Sequence, residues 1–363
     1  MFFQNWPIKT HMRIFNGYWK LIQFLAIYLA CTHVFALTIS HEVEVSKSSE
    51  FIFNSTDDYV LDGTLSIIGD RGGYKWISPF WDRKRGGIVH LLTKGALEGP
   101  MESRVWMKDR SALFENVKPK EGNLWIANTY IDKAGILAFV HAEAVEGSGH
   151  PGSSGKTRIG IAWSENSGET FKYLGGVIAA YGDPNPHNVQ GGIYIIRDGY
   201  FYVYFHDIKG ITVARASVEE VVVAAKNGKT SSWKKYMGDE IGFAAFGLGG
   251  DSYPIGVMGA SHNDAACSTY NNRCYLVLTT MTWGGKNSTI KLFESADGIH
   301  WNTVKVIAEI PPTSGVRGYQ YAAIVSDDNS ENATVGRKFY IYSALNHLDV
   351  NRKLVRWTVD LGN

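Results

Sequence analysis

One pattern limits the folds open to this chain more than any other. A strand, a tight turn and a second strand return about every 60 residues. The second strands run from Gly135 to Glu143, Gly199 to Asp207, Cys274 to Thr279 and Lys338 to Ser343, each behind a turn built from Asp, Asn, Gly or Lys. A third strand follows each: Arg158 to Ser164, Gly210 to Ala216, Ser288 to Ser295 and Lys353 to Val359. The stretch Tyr59 to Leu113 has room for a fifth copy ahead of these four. β-Branched and aromatic side chains suit a pleated, half-buried surface, and Gly, Asn and Asp reach the dihedrals of tight turns. Helical periodicity is nearly absent. The exception is Ser217 to Lys226, with apolar Val221, Val222, Ala224 and Ala225, which reads as an insertion between strands.

A sheet of four short strands cannot bury both of its faces alone. Stacking such sheets radially buries them against one another and leaves few open edges. Two β-sandwiches would need two cores and a linker, and no linker is visible. The expectation is an all-β chain, a β-propeller of five blades with four antiparallel strands each, forming a single domain over 37–363. The 19 Tyr, 17 Phe, 11 Trp and 39 Gly fit that core and its turns, and an aromatic face also suits the apolar side of a sugar ring. Lys and Arg number 36 against 35 Asp and Glu, which leaves no field of one sign for nucleic acid or an anionic membrane.

The N-terminus reads as an export signal over 1–36. Arg13 and Lys20 precede a short apolar run, and the small residues Val34 and Ala36 precede a cleavage point; Met12 is an alternative start. A retained anchor is the competing reading, but the run is short and interrupted for a span. Cys31 belongs to that signal, so Cys267 and Cys274 remain, flanking a hairpin turn that a disulfide would staple. In an exported chain the bridge is expected. Asn54, Asn287 and Asn332 each begin a glycosylation sequon.

Two segments, Ser164 to Phe171 and Ser295 to Trp301, follow third strands at equivalent places. They resemble the Asp-box turn of sialidases and other secreted propellers, with Asn166 and Phe171 departing from the pattern in the first. The Arg-Ile-Pro motif and arginine triad of sialidases are not recognisable, so the turns point to architecture and not to that chemistry. From Asp62 to Tyr321 the blade pattern resembles the five-bladed glycoside hydrolases of the arabinanase, xylosidase and invertase-like group. That resemblance implies three carboxylates in a central funnel: a base or nucleophile, an acid, and one that orients or tunes. Cleaving a glycosidic bond needs a carboxylate on one side and a protonated acid on the other.

Matching strand ends selects the candidates. Asp62 opens the first innermost strand and matches the base; Glu143 closes a second strand and is the candidate acid; Asp183 precedes the third innermost strand and would orient. Around them fall candidate substrate contacts His141, His187, His206, Asp207, His262, Asp264, Arg317 and Tyr319. Each also has a plain reading: Asp62 and Asp183 as turn caps, the histidines as satisfied core groups, Arg317 as an ion-pair partner. Trp76, Trp81 and Trp283 are candidate sugar platforms that equally suit the core. The resemblance also implies a single Ca²⁺ in the central channel, held by His262 or by water and carboxylates; no cofactor is otherwise required. Glycoside hydrolysis of a polysaccharide or oligosaccharide by an exported protein leads. A non-catalytic carbohydrate-binding propeller and a polysaccharide lyase using His and Tyr319 are the alternatives, and hydrolysis differs from lysis in needing a close carboxylate pair.

Overall fold

The computed structural model describes residues 38–45, 61–69, 73–82, 86–117, 122–143, 157–181, 189–207, 209–257, 262–281, 288–311, 318–329, 331–345 and 353–362, with backbone alone at 38–45, 190, 207, 262 and 281. The expected export signal lies outside these residues. The unit Thr38–Asp360 is a five-bladed β-propeller. Its first strand, β1 (Thr38–Val45), precedes blade one: β2 (Ser66–Gly69), β3 (Lys75–Asp82), β4 (Gly87–Ala96) and β5 (Gly99–Asp109). A single turn, α1 (Arg110–Leu113), and β6 (Phe114–Glu115) lead to blade two: β7 (Asn123–Asp132), β8 (Gly135–Glu143), β9 (Thr157–Ser164) and β10 (Phe171–Ala179). Blade three is β11 (Gln190–Arg197), β12 (Tyr200–Asp207) and β13 (Gly210–Ser217), then α2 (Val218–Lys226), β14 (Lys234–Tyr236) and β15 (Phe243–Phe246). Blade four is β16 (His262–Ser268), β17 (Cys274–Met281), β18 (Ser288–Ser295) and β19 (Asn302–Ile310). Blade five is β20 (Tyr319–Ser326), β22 (Lys338–Leu345) and β23 (Lys353–Asp360), with β21 (Thr334–Val335) between the first two in sequence.

Two features depart from the regular expectation. Blade five takes its outermost strand from the start of the unit, because β1 pairs antiparallel with β23 and so closes the ring. Three blades hold a fifth strand: β6 lies parallel on the outer edge of blade two, β15 extends blade three, and β21 lies parallel beside the inner strand of blade four. Each addition occupies a row of backbone donors and acceptors that would otherwise be an open edge.

The core lies between the blades. Ile68, Ile77 and Leu92 of blade one pack against Ile126, Ala138 and Val140 of blade two. Phe139 and Ile161 meet Tyr194, Phe201 and Trp233 of blade three, and Tyr204 meets Leu276 and Leu278 of blade four. Leu65, Ile67 and Trp76 meet Tyr321, Ala323 and Tyr342, which joins blade five to blade one. Trp76 is fully buried with its indole N–H donated to the Gly95 carbonyl, so it is a core residue and not a sugar platform.

The single helix expected from periodicity is α2. Ser217 Oγ caps it by accepting from the Glu220 N–H, Glu219 and Glu220 oppose the helix dipole, and Val221, Val222 and Ala225 are buried against blades two and three. Cys267 and Cys274 face each other across β16 and β17 and are joined as a disulfide. The turns after the third strands bond their own backbones. Ser164 Oγ accepts from Gly168 N–H at 2.9 Å and Asn166 Oδ1 from Thr170 N–H at 3.0 Å; Ser295 Oγ and Asp297 Oδ1 do the same for Gly298 and His300, both at 2.8 Å.

Candidate functional site

A chain of cross-blade bonds fixes how the five inner strands align. Ser66 Oγ of β2 donates to Asn128 Oδ1 of β7 at 3.2 Å, and Asn128 Nδ2 donates to Asp264 Oδ1 of β16 at 3.3 Å. Asp264 Oδ2 accepts from the Ile324 N–H of β20 at 2.8 Å. One residue further along β2 and β7, Thr129 Oγ1 donates to the Ile67 carbonyl at 2.8 Å, and the Tyr194 hydroxyl of β11 donates to the Thr129 carbonyl at 2.8 Å. These bonds form a polar waist on the propeller axis. The described lead into β2 and the starts of β7, β11, β16 and β20 lie on one side of it, and the antiparallel second strands return their ends to that side. Glu143 is thus paired with Asn123 at the start of β7, His206 with Gln190, and Thr279 with His262. Strand register thus puts Glu143, His206 and His262 on one rim, with Asp62 in the lead to β2.

Asp62 is the best-anchored of them. Its backbone N–H donates to the Pro79 carbonyl at 3.1 Å, and its Oδ1 accepts from the Tyr321 hydroxyl at 2.7 Å. Both sides of this contact hold strained backbone: Leu61 has φ 49° and Tyr321 has φ 57°, the left-handed region that bulky residues avoid. Each such residue costs of order 1–3 kcal/mol and survives where its surroundings over-determine it. Gly63 is needed beside them, since a Cβ there would lie 2.5 Å from Pro79 Cγ.

Glu143 and His141 point together from the end of β8, with His141 Nε2 and Glu143 Oε1 3.3 Å apart. Burial pushes the Glu143 carboxyl up, but the hydrogen bond and charge of His141 outweigh it and hold the group below its ordinary value. The Trp125 indole N–H faces the same carboxylate without reaching regular hydrogen-bond geometry. Glu143 is therefore ionised in the free protein at neutral pH.

The other candidates divide. His206 is half-buried at the end of β12. Tyr319 opens β20, but its ring is buried edge-on to Trp357 with centroids 5.2 Å apart. Asp264 is not on the rim: it is buried at the waist, where desolvation raises its pKa to about 7 against the pull of the Ile324 and Ala265 N–H groups. His262 and Asp207 are placed by backbone at the start of β16 and the end of β12. Asp183, His187, Arg317 and Trp283 lie outside the described residues.

The described donors do not make a calcium site. Both Asp264 oxygens already accept N–H donors, from Asn128 and Ala265 on one side and Ile324 on the other. Among the described residues no three His, Cys, Asp or Glu side chains converge as ligands.

Sequence reasoning passed over Tyr321, Trp125, Ser66 and Asn128, and read Asn332 only as a sequon. Asn332 stands in a sequon, yet its amide is committed inside the propeller: Oδ1 accepts the Ile67 N–H at 2.9 Å, and Nδ2 donates to the Ile67 and Thr129 carbonyls at 2.7 and 2.9 Å. A glycan on that nitrogen would break these bonds.

No family model and no curated protein matches the sequence. Among solved structures the fold is similar to that of Zg3597, a family 117 glycoside hydrolase produced by the marine bacterium Zobellia galactanivorans (TM-score 0.52, 12% identity, 90% of each chain covered). It is also similar to the alpha-L-arabinofuranosidase PaAbf62A from Podospora anserina, solved in complex with cellotriose (TM-score 0.51, 8% identity, 85% of this chain and 93% of that one). A third is an exo-1,5-alpha-L-arabinanase from a bovine ruminal metagenomic library (TM-score 0.50, 11% identity, 83% and 94%). At these identities the likeness is one of fold, and at that level the expected resemblance to five-bladed glycoside hydrolases is met.

Proposed function

We propose that this protein is a glycosidase that hydrolyses a polysaccharide or its oligosaccharides in the funnel above the waist. The observation that carries the reading is the Asp62–Tyr321 contact, a carboxylate fixed at 2.7 Å on the rim between two strained residues. Strain of this kind collects where function requires one geometry. Asp62 serves as base or nucleophile. Glu143 is the acid, and it must take up its proton when substrate binds, because in the free protein the neighbouring His141 holds its carboxyl below the ordinary value. Asp183 orients the reacting centre. The solved structures of like fold are glycoside hydrolases by their descriptions, which supports the reaction class. The disulfide supports export to an oxidising compartment. The lyase reading draws no support from Tyr319, whose ring is buried against Trp357.

The test is a panel of neutral and acidic glycans with products identified by mass and ultraviolet absorbance. Hydrolysis adds one water per cleavage, whereas a lyase leaves an absorbing unsaturated end. Asp62→Asn and Glu143→Gln are each expected to lower kcat about 10³-fold. Retained activity in both variants would overturn the assignment, and binding without cleavage by the native protein would leave only a carbohydrate-binding propeller.

A further inference from the structure

Blade three carries an insertion, from α2 to the segment before blade four, that the hydrolytic centre does not use. One part of it comes back to the rim. Ile255 N–H donates to the Ile211 carbonyl at 2.9 Å and Thr212 Oγ1 to the Tyr253 carbonyl at 2.9 Å, so Asp251 to Val257 runs beside the upper end of β13. There Lys209, on the turn joining β12 to β13, forms an ion pair with Asp251 and donates to the Ser252 carbonyl at 3.2 Å. Its ammonium lies 5.8 Å from the ring of Tyr181, which leads from β10 into the segment before β11. Tyr181 is 53% exposed, whereas the Tyr253 ring packs beside Tyr236 of β14 with centroids 6.3 Å apart.

This surface is built and held from beneath. Lys235 is fully buried, and its ammonium donates to the carbonyls of Ala179 and Gly250, two backbone points just behind Tyr181 and Asp251. The Ala179 N–H also donates to the Gly247 carbonyl at 2.9 Å, an approach so close that a Cβ on Gly247 would lie 2.4 Å from the Val177 carbonyl oxygen. A buried lysine thus clamps the end of blade two to the inserted loop of blade three. The exposed Tyr181 ring and Asp251 therefore stand beside fixed backbone, which lowers the ordering cost of binding.

The chemistry selects the ligand. Exposed tyrosine faces take the apolar C–H faces of sugar rings. The Lys209–Asp251 pair offers an ammonium donor and a carboxylate acceptor side by side, a match for adjacent hydroxyls. Because the two charges neutralise each other, the surface has no preference for an anionic sugar. We propose that Tyr181 and the Lys209–Asp251 pair form an outlying subsite for neutral sugar residues, on the blade-three rim, which holds a glycan chain that extends out of the funnel. This rests on the glycan reading above, continues the same rim, and makes the protein selective for longer chains.

The experiment is calorimetric binding of two- to six-residue oligosaccharides from arabinan, xylan and agarose, with galacturonate oligomers as the acidic control, to the native protein, Tyr181→Ala and Asp251→Ala. All three are used with Asp62→Asn in the background, so no ligand is consumed. For the neutral series that binds, affinity is expected to rise with length, and each rim variant to weaken the six-residue ligand about tenfold more than the two-residue one. Rim variants with the same length dependence as the native rim would overturn the subsite, as would preference for the acidic oligomers or no binding at all. Length-dependent, Tyr181-dependent binding by a native protein that cleaves nothing would overturn the hydrolase reading and leave the subsite standing. Cleavage with no length dependence would do the reverse.

Discussion

The Asp62 carboxylate depends on a phenol from the other end of the unit. Tyr321 lies 259 residues away in sequence, and its hydroxyl reaches Asp62 only because β20 stands beside β2 when the ring is closed. Tyr321→Phe keeps the buried ring and removes the O–H that donates to the carboxylate. It should lower kcat about tenfold while costing less than about 1.5 kcal/mol of stability, the usual worth of one hydrogen bond. Steady-state kinetics with a denaturant titration would check both, and an unchanged kcat would show that the phenol only fills the core. Asp62 was legible in the sequence because an Asp at the start of a repeat is conspicuous. Tyr321 was not, since an aromatic residue in a strand reads first as core, and here it is both buried and a hydrogen-bond donor. Asp264 misled for a related reason: its place near a strand start suggested the rim, whereas the cross-blade bonds put it at the waist.

At the scale of elements, hairpins were easy to read and edges were not. Turn residues between two aromatic runs mark a hairpin locally, and so does the disulfide, whose partners are opposite residues of β16 and β17. Strands that pair only with distant partners leave no such mark. β1 finds β23 across the whole unit, and the two-residue strands β6 and β21 are too short for any alternation to appear. The connection between β20 and β21 is the sharpest case. β2 pairs with β3 on one side, and its other edge would leave the Ile67 N–H and carbonyl open to the channel. The Asn332 side chain meets both with the two ends of its amide, as a neighbouring peptide would, and adds bonds to Thr129. Asn332→Ala should cost about 2–4 kcal/mol, since it strands several backbone groups in place of removing them. Denaturant unfolding gives that number. Mass analysis of protein made in a glycosylating host should find Asn332 bare, and a glycan there would contradict the bonding.

For the whole molecule, the closed ring ties blade interfaces into one unit, so buried ionisable groups far apart act on the same unfolding equilibrium. Two of them act in opposite directions. His90 is fully buried between blades one and two, with Nε2 accepting the Ile126 N–H at 3.1 Å and its ring edge-on to Phe114. Burial pushes its pKa down to about 3. Below pH 6.5 the unfolded chain takes up a proton that the native ring refuses, so this histidine removes stability as pH falls from 6.5 toward 3, by up to about 5 kcal/mol. Asp264 has the reverse sign. Burial raises its pKa to about 7, so the native state keeps a proton that the unfolded chain has released near pH 4. Stability is lost as pH rises from 4 toward 7, by up to about 4 kcal/mol. Between pH 4 and 6.5 the two slopes oppose each other, and the native protein should show a shallower profile than either group alone would give. His90→Phe should leave stability falling with rising pH in that window relative to the native protein. Asp264→Asn should leave it rising, and the double variant should return toward the native curve. Unfolding titrations at pH 4.5, 5.5 and 6.5 would read the three differences. If both single variants tilt the profile the same way, the balance across the ring does not exist.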